Sequence, residues 1–189
     1  MDEYRRSMSS FSLCGLNCSL CPRYNTEGNS KCPGCGGALF EEKHPACAVI
    51  TCSKKHGTIE FCFQCNDYPC KRYESIGEYD SFISYRRVKE NLEKGKTDIA
   101  LYKKELLLRE QFLQELLTHY NDGRSKGFYC LASNDLAIES LEEVLKIMNK
   151  EKLDAVSNEK EKAARVKEII TAAADKEGLT LELRKESKK

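Results

Sequence analysis

Cysteine is the residue type whose number and spacing in this sequence point most directly to chemistry. Ten of the eleven cysteines, and all four prolines, lie between Cys14 and Cys70. The cysteines follow the pattern C-x3-C-x2-C, C-x2-C, C-x4-C and C-x2-C-x4-C. Two thiolates that are two residues apart can bind one metal ion, because a tight turn brings both sulfur atoms to the same side. Three such pairs in this short stretch predict a metal-binding region of the zinc type.

One histidine has the spacing of a further ligand. His44 lies three residues before Cys47, as in a C-x2-C pair, and neutral imidazole binds zinc beside thiolates. His56, in the spacing C-x3-H, is not expected to bind metal, and His119 is expected to be structural or exposed. The predicted metal ligands are Cys14, Cys18, Cys21, Cys32, Cys35, His44, Cys47, Cys52, Cys62, Cys65 and Cys70.

The spacing leaves open which ligands share an ion. The simplest grouping places Cys18, Cys21, Cys32 and Cys35 on one zinc ion, and His44, Cys47, Cys62 and Cys65 on a second. The remaining Cys14, Cys52 and Cys70 would then form a three-thiolate site with water or another group as fourth ligand. Interleaved pairing, as in cross-braced zinc modules, is equally compatible with the sequence. We therefore expect two or three zinc ions. Closed four-ligand sites are structural, so a three-ligand site would be the place for reactivity.

The sequence shows no signal for export or membrane insertion, which affects whether the cysteines are expected to form disulfides. The first thirteen residues contain no apolar run that would serve as a signal peptide. No stretch approaches the roughly 20 apolar residues that a membrane span needs. We therefore expect a cytoplasmic protein without membrane association. Disulfides are rare in that reducing compartment, which favours metal binding over a disulfide framework.

Composition predicts two kinds of structure along the chain. Residues 14–73 are rich in Gly and Pro and have few large apolar side chains, so they need metal to fold. We expect a small metal-stabilised, turn-rich zinc domain over residues 14–73, followed by a mainly α-helical domain over residues 74–189. Residues 1–13 are expected to form a polar arm, with Phe11 and Leu13 the first to pack.

The helical domain is expected to contain four helices. The longest is capped by Thr97 or Asp98 and runs to about Tyr120; a weaker one lies between Ser75 and Glu93. The apolar face of the longest helix is expected to include Leu101, Leu108, Phe112 and Leu116. The next two are expected from Ser133–Asp135 through Met148, after a short apolar piece at Gly127–Leu131, and from Ser157 to Gly178. The final LTLELRK is expected as a short strand or a tail.

Three motifs resemble a known family. CGLNCSLCP, from Cys14 to Pro22, resembles the opening of a widespread prokaryotic cysteine-rich family that is catalogued as a domain of unknown function and presumed to bind zinc. CFQC followed by YPC, from Cys62 to Cys70, resembles its closing motif, and Asn121–Cys130 resembles a stretch in longer members. The likeness extends from about Cys14 to Met148. His44 stands where the family pattern has cysteine, an exchange that keeps ligation possible. The resemblance implies a zinc-binding fold and supplies no activity.

Two functional hypotheses follow from the cysteines. The first is a zinc-stabilised binding or scaffold module that binds a protein partner. The second is an iron–sulfur protein, because Cys14-x3-Cys18-x2-Cys21 has the spacing by which radical SAM enzymes bind three irons of a four-iron cluster. That motif normally opens a β/α barrel, whereas turns and helices are expected here.

Charge disfavours a third hypothesis, nucleic-acid binding. The region from Cys14 to Tyr73 has seven basic and five acidic residues. Ten thiolates with three zinc ions would bring its net charge to about −2, the wrong sign for binding phosphate. No catalytic constellation is recognised, and Cys130, in an apolar run, is expected to be a packing thiol.

Overall fold

A computed structural model describes residues 4–74 and 76–186 of the chain. Residues 1–3 of the expected arm, and residues 75 and 187–189 of the expected helical domain, lie outside the described part. Seven α-helices occur among the described residues: α1 Phe40–Lys43, α2 Ala48–Lys55, α3 Val88–Thr97, α4 Ile99–His119, α5 Lys126–Asp135, α6 Ile138–Lys150 and α7 Glu159–Lys176. The same residues contain no β-strand, and a single bridge pairs Phe11 with Asn17.

The described chain is therefore mainly helical, with a cysteine-rich N-terminal region of short helices and turns, as expected. It folds into two compact units. The first comprises the described residues of Met1–Lys103 and Arg184–Lys189, and the second comprises Lys104–Leu183. This division lies thirty residues beyond the boundary at 73/74 that composition suggested. No described helix is both long and apolar enough to cross a lipid bilayer.

The described N-terminal residues pack into the first unit, and Phe11 and Leu13 are buried, as expected. Tyr4 and Phe11 are buried, and the Phe11 ring lies 4.7 Å from the Tyr102 ring and 5.6 Å from the Phe61 ring. Arg6 is buried as well. The cysteine-rich stretch has few large apolar side chains of its own, so these aromatic residues supply part of its core.

The loop that carries the first cysteines is fixed against α3 and the start of α4. The Asn91 side-chain amide donates to the Gly15 carbonyl at 2.9 Å, and the Tyr102 hydroxyl donates to Asn17 Oδ1 at 2.7 Å. Gly15 has φ +93°, and a Cβ there would lie 2.5 Å from the Val88 carbonyl oxygen. Only glycine permits both this conformation and this close approach.

The longest helix begins where the sequence predicted, and its buried face includes the expected Phe112 and Leu116. Asp98 Oδ1 accepts hydrogen bonds from the backbone N–H groups of Ala100 and Leu101, at 2.9 and 3.0 Å, and so caps α4. Leu101 and Leu108, which were expected on the apolar face, are 63% and 49% exposed. The buried face of α4 consists of Tyr102, Leu106, Arg109, Phe112, Leu113 and Leu116.

A buried arginine explains that difference. The Arg109 guanidinium donates to the carbonyl oxygens of Ser133 and Leu136, at 2.9 and 2.7 Å, and pairs with Glu105 at 3.0 Å. Leucines occur around much of α4, so apolar periodicity alone did not define its face. The hydrogen bonds of Arg109 allow a charged residue to occupy the centre of that face.

The helix boundaries after α4 were only partly predicted. Residues Gly127–Leu131 and Ser133–Asp135, expected as an apolar piece and a helix start, both lie within α5. Asp122, which lies just before α5, accepts hydrogen bonds from the Ser125 hydroxyl and the Arg124 N–H, and these lower the pKa of its carboxyl to about 2. The helix that was predicted from Ser157 to Gly178 corresponds to α7, whose N-cap is Asn158.

The two remaining segments also differ from expectation. The weaker helix, expected between Ser75 and Glu93, is observed as α3 and is displaced towards the C-terminus. The described residues after Gly178 form no strand. Arg184, in that segment, pairs with the buried Asp80 side chain at 2.7 Å within the first unit.

Candidate metal centre

The predicted cysteines gather around two separate cavities in the first unit. No disulfide joins any of the eleven cysteines, all of which lie in the described residues. Cavity A, of about 170 Å³, is lined by His44 and by six cysteines: Cys14, Cys18, Cys21, Cys32, Cys35 and Cys47. Cavity B, of about 30 Å³, is lined by His56 and by four cysteines: Cys52, Cys62, Cys65 and Cys70. Every cysteine between Cys14 and Cys70 thus lines one of the two cavities, whereas Cys130 is buried in the second unit.

A single short helix separates the two sets of cysteines. Cys47 is the N-cap of α2, and Cys52 lies within it. Cys47 precedes the helix in an extended conformation, with φ −112° and ψ 111°, whereas Cys52 lies in the second turn of the helix. Cys47 lines cavity A and Cys52 lines cavity B.

The thiols of cavity A lie in surroundings that disfavour an uncompensated charge. Burial raises the pKa of the Cys14 thiol to about 12, more than the hydrogen bond with Ser12 lowers it. The pKa of Cys18 is raised well above its ordinary value by burial and then by the neighbouring Cys35. A bound cation would offset both effects, because it stabilises the thiolates and cancels their mutual repulsion.

Backbone amides also face the sulfur atoms of cavity A. Burial raises the pKa of the Cys35 thiol, as it does that of Cys14, and hydrogen bonds from the N–H groups of Leu13 and Leu16, respectively, offset part of each rise. Such donors stabilise the thiolate form, which is the form that binds metal.

One wall of cavity A comes from a segment to which the sequence analysis assigned no role in the site. Ile76, Phe82, Ile83 and Tyr85 line the cavity together with the cysteines. The guanidinium carbon of Arg23 lies 4.6 Å from the centre of the Phe82 ring. The apolar run Phe82-Ile83 was visible in the sequence, but nothing in its spacing linked it to the cysteines. These side chains limit the access of water to the thiols.

Cavity B is smaller and closer to the surface. Burial raises the pKa of the Cys62 thiol to about 11, and the charges of Cys70 and Cys52 contribute to that rise. The four cysteines of this cavity are only partly buried. Cavity B therefore offers its ligands more readily to solvent than cavity A.

The two cavities divide the ligands of the simplest grouping, and which of these ligands share an ion stays a prediction. Cys18, Cys21, Cys32 and Cys35 all line cavity A. His44 and Cys47 line the same cavity, whereas their expected companions Cys62 and Cys65 line cavity B. Cys14 lies with the first set, and Cys52 and Cys70 lie with the last C-x2-C pair.

His44 is oriented in a way that is compatible with ligation. Its Nδ1 lies 2.8 Å from the Pro45 carbonyl oxygen, and its ring stacks on Phe40 with the centroids 4.5 Å apart. A carbonyl can only accept, so Nδ1 is the donor in this contact, which leaves Nε2 as the ring nitrogen available for a metal. Metal-binding histidines commonly donate their other ring N–H in this manner. Ligation by His44 stays a prediction.

The distances between ligand atoms distinguish one small group. Within residues 4–74 and 76–186, one set of three or more His, Cys, Asp or Glu side chains has all its ligand atoms within 4.8 Å of one another, and it consists of His56, Cys65 and Asp67. The sulfur atoms of one tetrahedral zinc site are about 3.8 Å apart, given Zn–S bonds of about 2.3 Å. The thiols of cavity A are therefore spaced more widely than a single zinc ion requires.

Taken together, the many cysteines and the His56–Cys65–Asp67 group suggest metal binding, although they do not identify the metal. Comparison with curated proteins and with solved structures gave no match. Comparison with family models gave a match over residues 10–75, which include all ten clustered cysteines and exclude the likeness at Asn121–Cys130. The resemblance seen in the cysteine motifs is thus confirmed for this region: residues 10–75 match the family described as "Protein of unknown function (DUF3795)".

Proposed function

We propose that residues 14–70 form a zinc-binding module in which metal holds the turns together. The observation that carries this proposal is that all ten clustered cysteines are free thiols that line one of two cavities. Soft thiolates select zinc or iron–sulfur clusters over hard cations such as Mg²⁺. Because this region has few apolar side chains, bound metal would compensate for its small core. Small turn-rich domains seldom fold without a metal or disulfides.

The metal content of the purified protein tests this proposal. We expect two or three zinc ions per chain and no visible absorption, because thiolate-bound zinc is colourless. Elemental analysis of protein purified without added metal or chelator measures the content. Cys130→Ser serves as a control because that thiol is buried outside both cavities and should leave the zinc content unchanged. A wild-type protein without bound metal would contradict the proposal.

An iron–sulfur centre in cavity A is a second candidate, favoured by the wide spacing of its thiols. The sulfur ligands of a four-iron cluster bind different irons, so they lie farther apart than ligands of one zinc ion. The cavity has about 170 Å³ of space and one apolar wall. The set of thiols would then include Cys14, Cys18 and Cys21 of the C-x3-C-x2-C motif, all of which line cavity A. Iron with brown absorption in anaerobically purified protein would support this candidate over zinc.

We further propose that the second unit binds a protein partner through a groove between α4 and α6. Leu108, Phe112, Ile138, Leu141 and Leu145 line a groove of about 350 Å³, whose rim includes Glu115 and Glu142. Leu108 is 49% exposed there. An apolar groove with acidic groups at its rim suits an amphipathic helix that carries leucines and flanking lysines.

A synthetic helix of that kind, with a fluorescent label, tests the proposed groove. We expect measurable binding by fluorescence anisotropy, and we expect Leu108→Glu to weaken it at least tenfold. Leu107→Glu is the matched control, because Leu107 is similarly exposed on α4 but does not line the groove. Equal effects of the two substitutions, or no binding by the wild type, would refute this docking site.

A further inference from the structure

Three side chains, those of His56, Cys65 and Asp67, lie close together, and the first two also line cavity B. His56 is the C-cap of α2, and Cys65 follows the 3₁₀ turn Cys62–Gln64. Cys65 Sγ lies 3.6 Å from His56 Nδ1, and Asp67 Oδ2 also lies 3.6 Å from His56 Nδ1. All three ligand atoms are within 4.8 Å of one another. A sulfur, a nitrogen and an oxygen donor therefore surround a single point.

The arrangement differs from a nucleophilic triad of cysteine, histidine and aspartate. In such a triad the two ring nitrogens have separate partners, so that one takes the proton of the nucleophile while the other is held by the carboxylate. Here Cys65 and Asp67 both face Nδ1. One ring nitrogen cannot serve as base towards the thiol and as donor towards the carboxylate at the same time. A cation that contacts all three atoms satisfies them together.

The distances agree with those expected around one zinc ion. With bonds of about 2.3 Å to sulfur and about 2.1 Å to nitrogen or oxygen, a tetrahedral ion keeps S and N about 3.6 Å apart and N and O about 3.4 Å apart. The observed separations are 3.6 Å in both cases. We propose that His56 Nδ1, Cys65 Sγ and Asp67 Oδ2 bind one zinc ion. This inference rests on the zinc-binding function proposed above, and it adds His56 and Asp67 to the ligands.

The solvent exposure of His56, Cys65 and Asp67 determines how fast this ion exchanges with solution. The side chains of His56 and Asp67 are 39% and 68% exposed, and Cys65 is only partly buried. Three protein ligands leave a fourth position for water, which an incoming chelator can occupy. The thiols of cavity A, in contrast, include the buried Cys14, Cys32 and Cys35. The His56–Cys65–Asp67 ion therefore exchanges with solution faster than metal in cavity A.

Release of zinc to a chromophoric chelator tests this site in the intact, zinc-loaded protein. We expect one equivalent to be released in a fast phase and the remainder slowly. His56→Ala and Asp67→Asn should remove the fast phase and weaken zinc binding at this site at least tenfold, since loss of even an outer partner costs about 10- to 100-fold in metal affinity. His56→Cys should restore it. His119→Ala and Asp154→Asn, which change exposed residues of the second unit, are matched controls.

Cobalt substitution supplies a second readout. Co²⁺ added to the metal-free, reduced protein should give a thiolate-to-cobalt absorption band for each thiolate site. His56→Ala should reduce the increase in absorption that occurs last in the titration, because the exposed site binds most weakly. If the wild type holds zinc but His56→Ala and Asp67→Asn keep the fast phase, the three residues form a hydrogen-bonded cluster only and this inference fails. If the wild type binds neither zinc nor cobalt, the proposed function fails with it.

Discussion

Removing the metal with a strong chelator is expected to unfold the first unit and leave the second folded. Structural zinc supplies on the order of 10 kcal/mol per site in small peptides at neutral pH, more than the whole stability of many domains. The cysteine-rich stretch shares its core with α3 and the start of α4, through the contacts of Phe11 with Tyr102 and of Asn91 with Gly15. We therefore expect the loss of structure to reach residue 103 rather than to stop at residue 73.

Hydrogen exchange measured by mass spectrometry, with and without chelator, locates that loss. Peptides from α2 and α3 should lose protection, whereas peptides from α5, α6 and α7 should keep it, because Tyr129, Val144 and Val166 are buried within the second unit. Acid should act like the chelator, since protons compete with metal for each thiolate and the raised thiol pKa values favour the proton. Parallel loss of protection in α5–α7 would show that the two units fold as one.

Replacing Arg6 by alanine is expected to destabilise the metal-loaded first unit by roughly 3–5 kcal/mol, because three carbonyl oxygens lose their donor, at a cost of about 1–3 kcal/mol each. The Arg6 side chain is 1% exposed. Its guanidinium donates to the carbonyl oxygens of Phe11 at 2.8 Å, Cys35 at 3.2 Å and Glu60 at 2.6 Å. These hydrogen bonds connect the N-terminal segment to Cys35, in a C-x2-C turn of cavity A. They also connect it to Glu60, which lies two residues before Cys62 of cavity B.

The midpoint of chemical denaturation, measured with metal bound, tests this role. Arg6→Lys should recover little of the stability, because an ammonium group cannot donate to three separated carbonyls as the planar guanidinium does. Arg165→Ala is the control, since Arg165 forms its ion pairs with Glu151 and Glu168 at the surface, where solvent screens them. Equal shifts of the midpoint in Arg6→Ala and Arg165→Ala would show that the hydrogen bonds from Arg6 to three carbonyl oxygens stabilise the protein no more than a surface ion pair does.

Local features of this chain could be predicted from the sequence because their causes lie within a few residues. The cap of α4 by Asp98 depends on two amides that closely follow it. The start of α7 was predicted at Ser157, one residue before its N-cap Asn158. The same locality brings Cys32 and Cys35 together in one turn beside cavity A. Apolar periodicity was less informative on α4, where the buried Arg109 depends on carbonyl oxygens of residues 133 and 136.

The types and spacing of the cysteines by themselves determined that residues 14–70 offer soft ligands in pairs. The tertiary structure decided how those pairs are grouped. Cys47 and Cys52, at the N-cap and in the second turn of α2, line different cavities, and the segment around Phe82 forms one wall of cavity A. The tertiary structure also places His56 next to Cys65 and Asp67, although the C-x3-H spacing of His56 disfavoured it as a metal ligand. Sequence spacing fixes only what one turn can bring together, whereas ligands from distant turns meet through the packing of the whole unit.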